Sequence, residues 1–364
     1  MADRALLVLS DICSGAYLVY ELNLDHLFSG EPEEEFPPIL SLPEPAASFK
    51  KQVYFRENRR VVRAENMSIA VSGNLMVAAT ARSRTLFYDA GSRSTSTGPD
   101  MLSGKTGVLL VPVADGTFFA LSLFPNLDPK GTPHAELLAK DAGGRLAWQP
   151  VPDPPLLSSP RPGQGIEWHI TAYFVAGTRV WVSFWRQGTF SFDTACGLWR
   201  MEGAWELPVR GRALLIPDFL GHKQLLFGFS SVDLHFCACD VEARPPVIIK
   251  TWPEAIPSQL ARRAGYLADP DTAKLAYYGG GRFCISTVIV TGYFPRRLTN
   301  MDEVLNLPRH AVSILAMEVT PGMHLIKHKL RCYSMPAEAP EGDCHLLHCY
   351  SMPAEAPVGG CHLV

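Results

Sequence analysis

The chain has 364 residues with 33 basic and 36 acidic side chains, a formal charge of −3, which leaves no electrostatic footprint for nucleic acid or an anionic membrane. A hydrophobic content of 47% is ample for a core without disulfide staples at this length, and no apolar run approaches the ~20 residues of a membrane-spanning helix. The 30 prolines and 29 glycines suit many short strands joined by tight turns better than long helices.

The first apolar run, residues 5–9, stops at Ser10 and Asp11. It is too short for the core of an export signal, so the expectation is an intracellular protein, cytoplasmic or nuclear. Nine cysteines, an odd number without such a signal, are then expected as reduced thiols. Residues 6–9 and 17–22, separated by Ser14-Gly15, read as a hairpin. The acidic, proline-containing stretch 30–35 reads as a solvated excursion. A second unit covers residues 71–89 and is followed by the Ser/Thr/Gly-rich run 91–98. A third pairs residues 108–111 with 117–121 around Asp115-Gly116. Residues 150–162 hold six prolines and are expected as an extended connection, because proline cannot donate to a central ladder. The fourth unit is 175–193, and the fifth pairs 225–229 with 234–240. The sixth begins at 275–281, continues in 283–285 and resumes at 311–319. Between its halves Thr299 or Asn300 is positioned to cap a short helix through Val304.

Two of these units are copies. Val71, Gly73, Arg82, Thr85 and Asp89 meet Val175, Gly177, Arg186, Thr189 and Asp193 without a gap, 104 positions on. A repeated hairpin cannot bury its apolar faces alone, so the copies must pack on one another, as in a propeller or a solenoid. The expected fold is all-β: a single β-propeller over residues 1–332, with about six four-stranded blades and seven as the alternative, then a flexible tail over 333–364. Six strand ends are expected at Glu21, Asp89, Leu121, Asp193, Asp240 and Glu318. Five of them are acidic, and those carboxylates suit backbone N–H groups of the following turns, an Asx-turn role rather than a catalytic set.

Other motifs fail on spacing. Gly104-Lys105-Thr106 invites a phosphate-loop reading, but Pro99 stands where the first glycine is required and the apolar strand follows rather than precedes. Ser230 and Ser231 lack the glycine that completes a nucleophile elbow, since Val232 stands there. In the tail, residues 332–340 return as 349–357, a 17-residue tandem duplication. It gathers Cys344-His345, His348-Cys349 and Cys361-His362, donors that suit zinc, yet the Cys332 to Cys344 spacing matches no short chelating knuckle. Lys327, Lys329 and Arg331 alternate with His328, Leu330 and Cys332, as in an outer strand guarded by its charges. Trp168, Trp181, Trp185, Trp199 and Trp205 cluster in the fourth unit, where core packing is preferred over a ligand groove.

Phe192-Asp193-Thr194, with Trp199 six residues after the Asp and Pro208 beyond, resembles the tail of a kelch repeat; Tyr277-Tyr278-Gly279-Gly280 resembles the kelch double glycine. Together with Trp205-Glu206-Leu207-Pro208, residues 281–285, Glu318-Val319 and residues 328–333, these runs are similar to a large plant family, expanded in grasses, whose domain of unknown function is related to F-box-associated kelch propellers. The resemblance covers about residues 1–332 and implies a degenerate, kelch-like propeller. Relatives with an N-terminal F-box recruit substrates to ubiquitin ligases; here the sequence starts directly in a strand, with no room for that module. The expected function is a non-catalytic protein–protein interaction scaffold, probed through the loops of one propeller face. The expectation includes a monomer, a protein partner, no cofactor, and no catalytic, cofactor-binding or metal residue. The alternative is a propeller enzyme, or a small-molecule or sugar-binding protein acting through the central channel.

Overall fold

The computed structural model describes residues 4–11, 16–29, 37–50, 53–56, 59–64, 67–113, 116–125, 128, 131–156, 168–222, 224–256, 273–297 and 304–335. Helical structure among them is confined to short 3-10 turns such as Asp25–Phe28, and the rest of the regular structure is strand. The first sheet, blade A, contains β1 (Arg4–Asp11) and β2 (Ala16–Asn23). The chain then leaves it for β3 (Ile39–Leu40) and returns in β4 (Ala47–Lys50), ahead of a separate hairpin of β5 (Val53–Arg56) and β6 (Arg59–Ala64). Blade B is β7 (Met67–Ser72), β8 (Leu75–Thr80), β9 (Thr85–Asp89) and β10 (Ser94–Thr97). Blade C is β11 (Val108–Pro112), β12 (Phe118–Ser122), β13 (Ala135–Lys140) and β14 (Leu146–Pro150). Blade D follows with β15 (Ile170–Ala176), β16 (Arg179–Phe184), β17 (Gly188–Asp193) and β18 (Leu198–Gly203), and blade E with β19 (Val209–Pro217), β20 (Gln224–Ser230), β21 (Phe236–Asp240) and β22 (Val247–Trp252). Blade F is β23 (Lys274–Tyr277), β24 (Arg282–Arg297), β25 (Val304–Val319) and β26 (Leu325–Ser334), with β3 added at its outer edge.

Period-2 alternation explains why these sheets form a ring. Each strand sends successive side chains to opposite faces, and here the two faces enter two different cores. From β1, Leu6 and Val8 pack with Ile69, Val71 and Met76 of blade B, while Ala5, Leu7 and Leu9 pack with Ala276, Cys284 and Ile314 of blade F. Ala70 and Val77 join Leu110 and Phe118 of blade C; Leu109 and Phe119 join Val182 and Phe192 of blade D. Ala172 and Phe174 join Val209 and Leu226 of blade E, and Phe227 joins Phe283 and Met317 of blade F. The cores therefore link A to B, C, D, E and F and back to A, the architecture of a β-propeller.

The ring is clasped where its two ends meet. Leu27 of the Asp25–Phe28 turn is fully buried, and the Phe28 ring lies 5.8 Å from Tyr278 and 5.6 Å from His328, with the Arg282 guanidinium 5.3 Å above it. β3 then pairs in parallel with the end of β26, Ile39 to Cys332 and Leu40 to Tyr333.

The copied unit maps onto matching strands, β7–β9 and β15–β17. Gly73 and Gly177 each turn the first pair at φ of +55° and +59°, a left-handed conformation that favours glycine. Several expectations need correction. Past residue 332, the bound expected for the propeller, β26 continues through Ser334, with Tyr333 paired to Val312 and Met335 buried. Val304 opens β25 instead of closing a helix, and residues 298–303 lie outside the described set. β2 runs two residues past Glu21, whose carboxylate accepts the Tyr88 hydroxyl at 2.8 Å and pairs with Arg93 at 2.6 Å, bridging blades A and B. Glu318 faces His328 at 3.4 Å. Along β26 the expected alternation breaks, because a register shift between Leu315 and Met317 leaves Ile326 exposed while Leu330, Cys332 and Tyr333 are all buried.

The Asx-turn reading holds for Asp89, Asp193 and Asp240, which accept the backbone N–H of Ser92, Ala195 and Glu242 at 2.7, 3.0 and 2.8 Å. The Ala195 N–H, with the Thr178 hydroxyl and Arg179, holds the Asp193 carboxyl below the usual carboxylate range. A depressed folded-state pKa stabilises above the unfolded value and that stability is lost as pH falls through the folded one. Asp193→Asn keeps an acceptor oxygen and removes the charge. Its melting temperature is therefore expected below that of the parent at neutral pH, the gap closing as pH drops through the acidic range. Thermal melts between pH 7 and pH 3 check this; a gap unchanged at low pH would assign the stabilisation to geometry alone.

Candidate functional site

The turns joining second to third strands, and the segments leading into first strands, share one face of the propeller. A cleft opens there between blades D and E. Its floor is a parallel ladder in which β15 and β19 pair at Ala172–Gly211 and Tyr173–Arg212. β19 can reach across because its pairing with β20 is interrupted between Arg210 and Leu214 and because Gly211 sits at φ +68°, which an L side chain rarely adopts. Toward the face the two strands part, and the space between them measures about 870 Å³. His169, Ile170, Thr171 and Trp185 line one wall, Glu206 to Arg210 and Ser231 the other.

Both walls are braced. The Trp185 N–H donates to the His169 carbonyl at 2.8 Å, and the Ser231 N–H to the Pro208 carbonyl at 3.0 Å. Glu206 accepts the Arg186 backbone N–H at 2.9 Å, the Leu207 N–H donates to the Ser183 hydroxyl at 2.9 Å, and the Thr189 hydroxyl donates to the Trp205 carbonyl at 2.7 Å. The Arg186 guanidinium lies 4.3 Å over the Trp185 ring, a cation–π contact. His169, Arg186 and Arg210 are exposed and Glu206 is half-buried.

Four large apolar side chains stand out on this face: Leu102 is 55% exposed, Phe124 46%, Trp185 53% and Val232 90%. Buried polar groups hold the turns beneath them. Asp128 accepts the Thr106 N–H at 2.7 Å and the Ser122 hydroxyl, with His134 Nδ1 at 3.6 Å. The Trp168 indole N–H donates to the Ser122 carbonyl at 2.8 Å. Blade E has an exposed counterpart in Ser230, Asp233 and His235: Asp233 accepts the His235 N–H at 3.2 Å and meets its Nδ1 at 2.8 Å. The Ser230 hydroxyl, with the His235 N–H, lowers the Asp233 pKa. Sequence reasoning missed both sets, though serine, aspartate and histidine follow each other in the same order in each.

The motifs set aside earlier now have positions. Lys105 is wholly buried, its ammonium donating to Glu136, to the Pro133 carbonyl at 2.7 Å and to the Ser103 hydroxyl at 2.9 Å. Its three donors are used, which leaves none for a phosphate. Ser230 ends β20 and Ser231 opens the turn that leads to β21. The tryptophans divide: Trp168 is buried in the core shared by blades C and D, whereas Trp185 lines the cleft, so the preference for core packing fails at that residue. Among the described residues no group of three or more His, Cys, Asp or Glu gathers to hold a metal. Cys332 is buried in β26, and the other tail cysteines and histidines lie outside the described residues. Cys196, Cys237, Cys239, Cys284 and Cys332 form no disulfide; a hydrogen bond with Cys239 and burial push the Cys237 thiol up, away from the reactive thiolate. A smaller space of about 140 Å³ lies between β11, β15 and β19.

A profile of a family described as "Protein of unknown function (DUF1668)" matches residues 3–333. Among solved structures the chain is similar to "Dihydro-heme d1 dehydrogenase NirN in complex with DHE", at 13% identity over 88% of this chain and 63% of that one, with a TM-score of 0.37. It is also similar to an auxiliary nutrient binding protein from Bacteroides ovatus ATCC 8483, at 9% identity over 70% of this chain and 54% of that one, with a TM-score of 0.35. The chain spans less than two thirds of the length of either. No curated protein matches it.

Proposed function

The chain belongs to the family described as "Protein of unknown function (DUF1668)", and from that premise we propose that it is a non-catalytic scaffold that recognises another protein through the face bearing the D–E cleft. The observation that carries this reading is the placement of Leu102, Phe124, Trp185 and Val232 on one face, each well exposed. Exposed apolar side chains sharing one face favour association, and tryptophan and arginine, here Trp185 with Arg186 and Arg210, are the side chains most often found to dominate such interfaces. Rigid walls under variable turns suit recognition. The kelch-like features at Trp199, Pro208 and Gly279-Gly280 add fold-level analogy. Partners are to be sought in the cytoplasm and nucleus. No helix of the described residues is long and apolar enough to cross a membrane.

A second reading has its own support. The cleft volume of about 870 Å³ lies within the ~300–1,000 Å³ of small-molecule sites, with His169, Glu206 and Arg210 as polar groups at its walls. The space of about 140 Å³ between β11, β15 and β19 falls below that range. Affinity purification from native tissue, comparing the unaltered chain with a Trp185→Ala/Val232→Asp variant, separates the two. A protein retained by the first and reduced at least tenfold on the second is the expected result. Equal retention would move the interface elsewhere, and recovery of small metabolites alone would favour the second reading.

A further inference from the structure

We propose that the D–E cleft binds a short neutral oligosaccharide, an inference that rests on the reading of the cleft as a small-molecule site. The ligand class follows from which groups of its lining are still without partners. Among the described residues nothing engages the His169 imidazole, the Trp185 indole N–H, the Ser231 hydroxyl or the second carboxylate oxygen of Glu206, and all four residues line the space. The first Glu206 oxygen takes the Arg186 N–H at 2.9 Å. These groups stand on both walls and mix donors with acceptors: the carboxylate oxygen accepts, the indole N–H donates, and the imidazole and hydroxyl do both. A ligand that matches such a set carries several groups able to donate and accept at once, which is the property of a polyhydroxylated ring.

Charge disfavours the other classes. An anion meets Glu206, while Arg210 already has a partner and Arg186 lies outside the lining, over the Trp185 ring. A cation is opposed by that same Arg186, whose guanidinium occupies the aromatic face at 4.3 Å and whose backbone N–H already offsets part of the Glu206 charge. A neutral ligand keeps the strong, charge-assisted acceptance of hydroxyls by a carboxylate, the role an acidic side chain plays toward the ribose of a dinucleotide. Trp185, 53% exposed, supplies the apolar part: the C–H groups on the face of a sugar ring are weakly positive and suit an aromatic π-system. Size points to more than one ring. The cleft measures about 870 Å³, toward the upper end of the ~300–1,000 Å³ of small-molecule sites. Its walls are already braced by the Trp185–His169 and Ser231–Pro208 backbone bonds, so little ordering cost remains on binding.

The test is calorimetry on the full chain with three neutral probes, maltotetraose, cellotetraose and xylotetraose, and two charged ones, tetragalacturonate and choline. At least one neutral probe is expected to give saturable heat, with an affinity that does not change with salt, as an uncharged ligand requires. Trp185→Ala should weaken it at least tenfold with melting unchanged. So should Glu206→Gln, which keeps an oxygen for the Arg186 N–H. Val232→Asp, on the same face but outside the cleft lining, should leave the sugar affinity as it is, although the protein-recognition reading needs that residue. Adding the tetrasaccharide that binds to the affinity purification then gives its source: a partner protein released by it carries the sugar chain, and otherwise the chain is a free ligand. No saturable heat from any neutral probe up to about 10 mM overturns the proposal, and so does binding indifferent to both Trp185→Ala and Glu206→Gln. Binding of tetragalacturonate or choline in their place overturns the sugar assignment and keeps the cleft as a small-molecule site. A protein partner that depends on Trp185 and Val232 after silence from all five probes would leave the recognition role of the face intact without it.

Discussion

Glu136→Ala is expected to cost about 3–5 kcal/mol, the range for breaking a buried ion pair from one side. Lys105 and Glu136 are both fully buried, and removal of the carboxylate strands the ammonium with only the Pro133 carbonyl and the Ser103 hydroxyl. It also strands the Leu102 N–H, which donates to the second Glu136 oxygen at 2.8 Å. Against a typical stability of about 5–15 kcal/mol, that loss brings the ring near unfolding. The double variant Lys105→Met/Glu136→Leu is expected to recover part of it, because it removes the orphaned charge and fills the volume. The unrecovered remainder belongs to the Leu102 N–H, at about 1–3 kcal/mol for a donor left unpaired, since the Pro133 carbonyl still accepts the Ser103 hydroxyl at 3.1 Å. Urea unfolding of the three chains, followed by tryptophan fluorescence, gives the numbers. A single-variant cost below about 1 kcal/mol would mean that water reaches the pair. The consequence for function is local, since the pair anchors the segment from which Leu102 projects onto the recognition face.

What the sequence made legible follows the distance over which each feature is written. The β7–β9 and β15–β17 hairpins were readable because alternation, a turn glycine and a strand-end aspartate recur within residues 71–89 and 175–193. From two such copies the need for neighbours, and hence an all-β ring, followed. Outer strands were harder: in β10 every residue from Ser94 to Thr97 is exposed, so no apolar alternation announces a strand, and the two residues of β3 carry no pattern at all. Non-local pairs left no trace. Lys105 and Glu136 stand 31 residues apart, and Glu21 looked like a strand-end acid although its partners, Tyr88 and Arg93, belong to the next blade. The cleft escaped for the same reason. Its floor is a parallel contact between two blades, and the exposure of Trp185 depends on that contact rather than on its neighbours in the chain.

The core between blades E and F should be the most sensitive apolar site. Phe227 is fully buried in β20 with its ring 4.6 Å from Phe219, 4.8 Å from Phe283, 5.9 Å from Phe236 and 6.3 Å from Trp252. Phe227→Ala is expected to destabilise by about 3–5 kcal/mol, combining lost transfer energy with a cavity that four packed aromatics cannot close. Phe227→Leu, which retains most of the volume, should cost less. Val232→Ala, at the exposed turn that follows the same strand, should stay within about 0.5 kcal/mol. Each blade covers only its neighbours, so stability is shared through nearest-neighbour cores, and Phe227 belongs to one of them. In a closed ring, weakening that core lowers the whole transition; in an open array it would release one end first. Urea unfolding of Phe227→Ala is therefore expected to remain a single transition shifted to lower denaturant. Two resolved transitions would show that blades E and F part before the rest, and that the clasp between blades A and F does not hold the ring shut.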